Sequence, residues 1–131
     1  MDSLEKILRQ AQTIAVVGLS NHTERPAYEV AQYLQRSGYQ IIPINPHENE
    51  VLGEKAYPDL LSVPQRIDIV DIFRRPEFVP EIVQQAIARH VQVVWMQPGA
   101  ENYDAAAQAE QAGIVAIIGM CLRVQHKRAQ S

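Results

Sequence analysis

The feature that most constrains the fold is a series of five short apolar runs that alternate with stretches of helical spacing. Most of these runs are rich in β-branched residues and lack strict alternation, which is typical of parallel strands covered on both faces. The alternation therefore predicts an α/β fold built around one parallel sheet. The runs are Ile14–Gly18, Gln40–Ile44, Asp68–Phe73, Val91–Met96 and Ile114–Ile118.

Helix start and stop signals lie between the runs. Pro26 and Gly38 suit the ends of one helix, and Asn102 is a suitable cap for another that ends before Gly113. Right-handed crossovers between such elements predict a Rossmann-like, doubly wound parallel five-stranded sheet in the order 3-2-1-4-5, with helices on both faces. The other helices are predicted over residues 3–11 and 80–89. The link 46–66 is predicted to be a loop with at most a short helix, and the polar, basic tail 123–131 is expected to fray.

Length and composition favour one folded domain over residues 1–131. Of the 131 residues, 47% are hydrophobic and 21% are charged, within the globular range. A net charge of −3 does not favour nucleic-acid binding, and no apolar run approaches the roughly 18 residues that a membrane span needs. The single cysteine, Cys121, excludes an intrachain disulfide and fits a reducing compartment. We therefore expect a cytoplasmic protein without nucleic-acid or membrane partners; a protein partner stays open.

The loops that follow the five runs are the predicted site, because ligands of parallel α/β sheets bind beyond the carboxyl ends of the strands. Gly18 permits a tight turn, and the N–H groups at the start of the next helix attract phosphate. Arg25 and Arg74 stand where a guanidinium could bind phosphate oxygens, whereas Arg75 is treated as an ordinary surface arginine. The five loops are Gly18–Ser20, Asn45–Pro46, Phe73–Arg75, Gln97–Gly99 and Gly119–Cys121.

The first of these loops lacks the dinucleotide-binding fingerprint. That fingerprint needs glycines at the positions of Ser20 and Thr23, and an acidic residue after the second strand, where Asn45 and Pro46 stand. The sequence therefore disfavours a nicotinamide dinucleotide and still allows another phosphate-bearing nucleotide.

Five segments that cover most of the chain resemble the small CoA-binding proteins. That family is similar to the CoA-binding domain of the succinyl-CoA synthetase α subunit, and the resemblance implies coenzyme A or an acyl-CoA as ligand. The chain departs from the family pattern at Ala27, Pro98 and Gly119–Met120. The segments are Val16–Ser20, Arg25–Val30, Ile44–Pro46, Val70–Arg74 and Val94–Gln97.

Matched motif by motif, the resemblance assigns ten residues to parts of the ligand. It implies that the diphosphate is lined by Gly18, Ser20 and Arg25, and that the adenosine is bordered by Pro26, Asn45 and Pro46. It also implies that Phe73 and Arg74 close over the nucleotide, and that Gln97 and Gly99 lie toward the pantetheine arm.

Three functions are compatible with these observations. The first is a stand-alone, non-catalytic module that binds coenzyme A or an acyl-CoA. The second is an NAD(P)-dependent reductase with an atypical fingerprint, and the third is a thiol-redox protein that uses Cys121. The four histidines are scattered without metal-ligand spacing, so we expect no metal site and assign no catalytic residue.

Overall fold

A computed structural model describes residues 4–130 and contains a five-stranded parallel sheet, a two-stranded hairpin and five α-helices. The strands are β1 (Thr13–Val17), β2 (Gln40–Ile44), β3 (Glu50–Val51), β4 (Glu54–Lys55), β5 (Ile69–Ile72), β6 (Val93–Met96) and β7 (Val115–Ile118). The helices are α1 (Leu4–Gln10), α2 (Pro26–Arg36), α3 (Val79–Ala88), α4 (Tyr103–Gln111) and α5 (Leu122–Gln130). Short 3₁₀ turns cover Leu60–Ser62 and Pro76–Phe78.

Two apolar cores lie on opposite faces of the sheet, which explains why the strands form unbroken apolar runs in the sequence. In β1, Ile14 and Val16 pack in the core formed with α1, α2 and α5, while Ala15 and Val17 pack in the core formed with α3 and α4. Both faces are thus covered by helices, and the predicted doubly wound α/β fold is confirmed. No helix within residues 4–130 is long and apolar enough to cross a membrane.

The sheet order is β2-β1-β5-β6-β7, with all neighbours parallel. Tyr57 adds a one-residue parallel bridge to Ile44 at the outer side of β2. Counted as the third strand, this bridge produces the order 3-2-1-4-5-6, which contains the predicted 3-2-1-4-5 pattern. The predicted order places the apolar run that ends at Phe73 third, at the outer side of β2. In the structure this run forms β5, which takes the fourth place and pairs with β1.

The predicted helices are found within one or two residues of their expected ends. Asn102 Oδ1 accepts a hydrogen bond from the backbone N–H of Ala105 at 3.0 Å, so the predicted cap of α4 is confirmed. The predicted start of α1 at Ser3 lies outside the described residues. The link 46–66 holds the β3–β4 hairpin, which local composition did not indicate, beside the expected short helical turn.

The tail forms α5 where we expected fraying. Leu122 is fully buried, and His126, one turn further on, is buried beside Tyr33, whose hydroxyl lies 2.6 Å from His126 Nδ1. Because Tyr33 belongs to α2, the stability of α5 depends on tertiary packing that a polar sequence does not reveal.

Candidate functional site

The carboxyl ends of the parallel strands meet at one edge of the sheet, where a cavity of about 520 Å³ opens between the start of α2 and the start of α5. We call it the larger cavity. Its walls are mostly apolar, with four arginines and one glutamate. The lining residues are Gly18, Arg25, Pro26, Ala27, Glu29, Val30, Phe73, Arg74, Arg75, Gln97, Pro98, Gly99, Ala100, Cys121 and Arg123.

A smaller cavity of about 400 Å³ adjoins the larger one on the side of β2. It is lined by the residues that follow β2, including Asn45, Pro46 and His47. The two cavities share five residues, and three of these are arginines. Their shared boundary, which we call the constriction, therefore carries positive charge; it is formed by Gly18, Arg25, Phe73, Arg74 and Arg75.

Gly18 allows the loops after β1 and β5 to approach closely at this constriction. Its φ is +96°, and its N–H donates to the Ile44 carbonyl at 2.9 Å. A Cβ atom at this position would lie 2.4 Å from the carbonyl oxygen of Phe73. Both the conformation and the contact exclude a side chain here, so glycine is a requirement of the site as well as of the turn.

Arg25 and Arg74 supply the charge at the constriction. Arg25 immediately precedes α2, whose first position is Pro26, so it stands at the N-terminal end of a helix, where the helix dipole favours an anion. The Arg74 guanidinium lies 4.3 Å from the centre of the Phe78 ring, which holds it at the cavity wall. Within residues 4–130, neither arginine forms an ion pair with a carboxylate, so both remain available to an anionic ligand.

Ser20 alone of the ten predicted site residues lines neither cavity. Its side chain is buried, and its Oγ accepts a hydrogen bond from the backbone N–H of His22 at 3.3 Å. In this arrangement it shapes the loop between β1 and α2. The other nine line one or both cavities: Gly18, Arg25, Pro26, Asn45, Pro46, Phe73, Arg74, Gln97 and Gly99.

Asn45 ties the loops around the smaller cavity together. Its Nδ2 donates to the Leu19 carbonyl at 3.2 Å, and its Oδ1 accepts from the backbone N–H of His47 at 2.9 Å. The amide thus stands where a dinucleotide-binding protein has an acid for the ribose diol, and both of its polar atoms already have loop partners.

Several cavity residues are not among the ten assigned to the ligand, although Cys121 and Arg75 belong to loops that the sequence predicted for the site. Arg123 and Cys121 reach the larger cavity because α5 begins there, and Arg123 lies 3.9 Å from Glu29 across it. Arg75, treated above as an ordinary surface residue, lines both cavities. For Arg123, the missing information was that the tail folds into α5 and that its first turn lies at the cavity.

Asp71 is a further polar residue that the sequence did not single out. It stands in the middle of β5, is fully buried, and accepts a hydrogen bond at Oδ1 from Gln97 Nε2 at 2.7 Å. Burial raises the pKa of its carboxyl to about 8, against an ordinary value of 3.8, although the hydrogen bond from Gln97 acts in the opposite direction. An acid inside an apolar run was the signal that could have identified it.

This shifted pKa predicts a pH dependence of stability that belongs to Asp71. The unfolded chain releases the proton above pH 3.8, whereas the folded protein holds it up to about pH 8. The contribution of Asp71 to the free energy of unfolding should therefore be greatest below pH 3.8. It should fall as the pH rises to about 8, by at most about 1.4 kcal/mol per pH unit. Urea unfolding of wild type and Asp71→Asn across this range measures the difference. Parallel pH profiles for the two proteins would contradict the assignment.

Comparisons with known proteins show which proteins this chain is similar to. A family model described as a CoA binding domain matches residues 12–127. The uncharacterized protein YneT of Bacillus subtilis strain 168 is 37% identical over 123 residues, which cover 94% of this chain and 91% of that protein. The solved structure of a hypothetical protein from Pyrococcus horikoshii OT3 is 39% identical with a TM-score of 0.94, covering 96% of this chain and 89% of that one.

A ligase matches over a shorter segment. The α subunit of the ADP-forming acetate–CoA ligase II of Pyrococcus furiosus is 36% identical over 69 residues, which are 52% of this chain and 15% of that subunit. The chain thus corresponds to a small part of the ligase subunit.

Proposed function

Since this chain belongs to the family of CoA binding domains, we propose that it is a module that binds coenzyme A or an acyl-CoA at the carboxyl edge of its sheet. The observation that carries the proposal is the positively charged constriction between two cavities. Arg25 and Arg74 lie at the constriction, so an extended ligand with its phosphates in the middle would place a different chemical group in each cavity.

Coenzyme A has this arrangement of groups. Its diphosphate would lie against the two arginines and the start of α2, and its adenosine would enter the smaller cavity beside Asn45 and Pro46. Its pantetheine arm would extend into the larger cavity, past Gln97 and Gly99. At about 520 Å³ the larger cavity falls within the range of roughly 300–1,000 Å³ that is usual for small-molecule sites.

The same geometry argues against the reductase alternative. NAD needs an acid for its ribose diol, and the Asn45 amide that stands in that place is engaged with Leu19 and His47. The thiol alternative retains one supporting observation, because the half-buried thiol of Cys121 lines the larger cavity.

We predict that CoA stabilises the folded protein and that NAD does not. A ligand at 100 times its dissociation constant adds about 2.7 kcal/mol to the free energy of unfolding. Thermal unfolding with each ligand in reducing buffer measures this, and reduction excludes a covalent adduct on Cys121. An NAD shift equal to or larger than the CoA shift would overturn the ligand assignment.

A further inference from the structure

A buried carboxyl group lies directly behind the wall of the larger cavity. Asp71 has no exposed surface, and its strand neighbours in register are Val16 on β1 and Trp95 on β6. Both neighbours are completely buried apolar residues. Within residues 4–130, Asp71 Oδ2 is the one enclosed side-chain oxygen or nitrogen atom without a hydrogen-bond partner. Burying a polar group in this way costs free energy, so the acid is not explained by stability.

The one hydrogen bond that Asp71 makes connects it to the cavity. Gln97 follows β6, lines the larger cavity and donates from Nε2 to Asp71 Oδ1 at 2.7 Å. Because Oδ1 accepts this bond, a proton carried by Asp71 resides on Oδ2. The Gln97 amide group is thereby held in one of its two orientations, with the nitrogen turned toward the strand.

The other polar atom of that amide is left to the cavity. Within residues 4–130, no protein group donates a hydrogen bond to Gln97 Oε1, and this atom is not fully enclosed by the protein. It is therefore a fixed acceptor at the cavity wall. An acceptor at the wall of a mostly apolar cavity favours a bound molecule that presents an N–H group to it over one that covers the acceptor without pairing it.

From this arrangement we infer that Asp71 is a positioning residue, which holds Gln97 so that Oε1 accepts a hydrogen bond from an amide N–H of the bound molecule. This inference rests on the proposed function, because the pantetheine arm of CoA carries amide N–H groups and the adenosine diphosphate part has none along its chain. Asp71 would thus select for the arm of the ligand without touching it.

The test is a double-mutant cycle with two ligands. Isothermal titration measures CoA and ADP binding to wild type, Asp71→Val, Gln97→Met and the double variant. We expect each single variant to weaken CoA binding about tenfold, because one hydrogen bond to the arm is lost. The double variant should bind CoA no more weakly than Gln97→Met, because Asp71 acts through Gln97. ADP, which lacks the arm, should bind all four proteins equally.

The two ligands also separate failure of the inference from failure of the proposed function. If wild type binds neither CoA nor ADP, the proposed function fails. If wild type binds CoA and Asp71→Val binds it equally well, or if the variant loses ADP and CoA equally, the inference fails while the proposed function stands. Should Asp71→Val not fold, Asp71→Asn replaces it. That variant keeps an acceptor for Gln97 Nε2 and should bind CoA within about threefold of wild type, and a loss as large as that of Gln97→Met overturns the inference.

Discussion

Replacing Gly18 with alanine should lower the free energy of unfolding by about 3 kcal/mol or more, because two costs coincide. The added Cβ would lie 2.4 Å from the Phe73 carbonyl oxygen, and a non-glycine residue is strained at a φ of +96°. The loop cannot simply move away, since the Phe73 N–H donates to the Val17 carbonyl at 2.9 Å and holds the two strand ends together. Urea unfolding measures the loss.

Gly38→Ala is the matched control for this substitution. Gly38 has a similar φ of +106°, yet a Cβ added there would meet no atom within 4 Å beyond its own chain neighbours. The free energy of unfolding of Gly38→Ala should therefore fall only by the conformational cost of a side chain at this φ, about 1–2 kcal/mol. Equal losses at both positions would show that the close approach to Phe73 is not important. The displaced Phe73–Arg74 segment should also weaken CoA binding in Gly18→Ala, whereas Gly38→Ala should bind CoA normally.

Replacing Arg74 with alanine should weaken CoA binding by about 1.5–3 kcal/mol, the range for a hydrogen bond to a charged group, and Arg25→Ala should act in the same direction. Both side chains lie at the constriction, where the diphosphate of the proposed ligand would pass. Because the interaction is between charges, wild-type affinity should fall as salt increases, and each variant should show a shallower salt dependence. Isothermal titration across a salt series provides both measurements.

Arg36 supplies the control, because it is exposed in the last turn of α2 and lines neither cavity. Arg36→Ala should bind CoA like wild type. Arg75 does not serve this purpose, since it lines both cavities. If Arg25→Ala and Arg74→Ala both retain wild-type affinity across the salt series, the backbone N–H groups at the start of α2 hold the phosphates instead, and the assignment of these arginines is wrong.

The sequence was informative wherever local pattern and a general topological rule together determine position. Unbroken β-branched runs indicated buried parallel strands, and parallel strands place their carboxyl ends at one edge of a sheet. That reasoning placed Gly18, Arg74 and Gln97 in neighbouring loops without any knowledge of contacts. The resemblance to CoA-binding proteins added the ligand, which the family comparison supports through residues 12–127.

Tertiary structure decided what depends on partners distant in the chain. Ser20 has the same local sequence whether it faces a ligand or its own loop, and only the folded loop turns its hydroxyl toward His22. The polar tail becomes α5 because Leu122 and His126 find a buried surface formed by other elements. Asp71 and Gln97 are separated by 26 residues, and they meet only because β5 and β6 pair in parallel. Side-chain direction and long-range pairing are set by packing, which no local pattern of residues encodes.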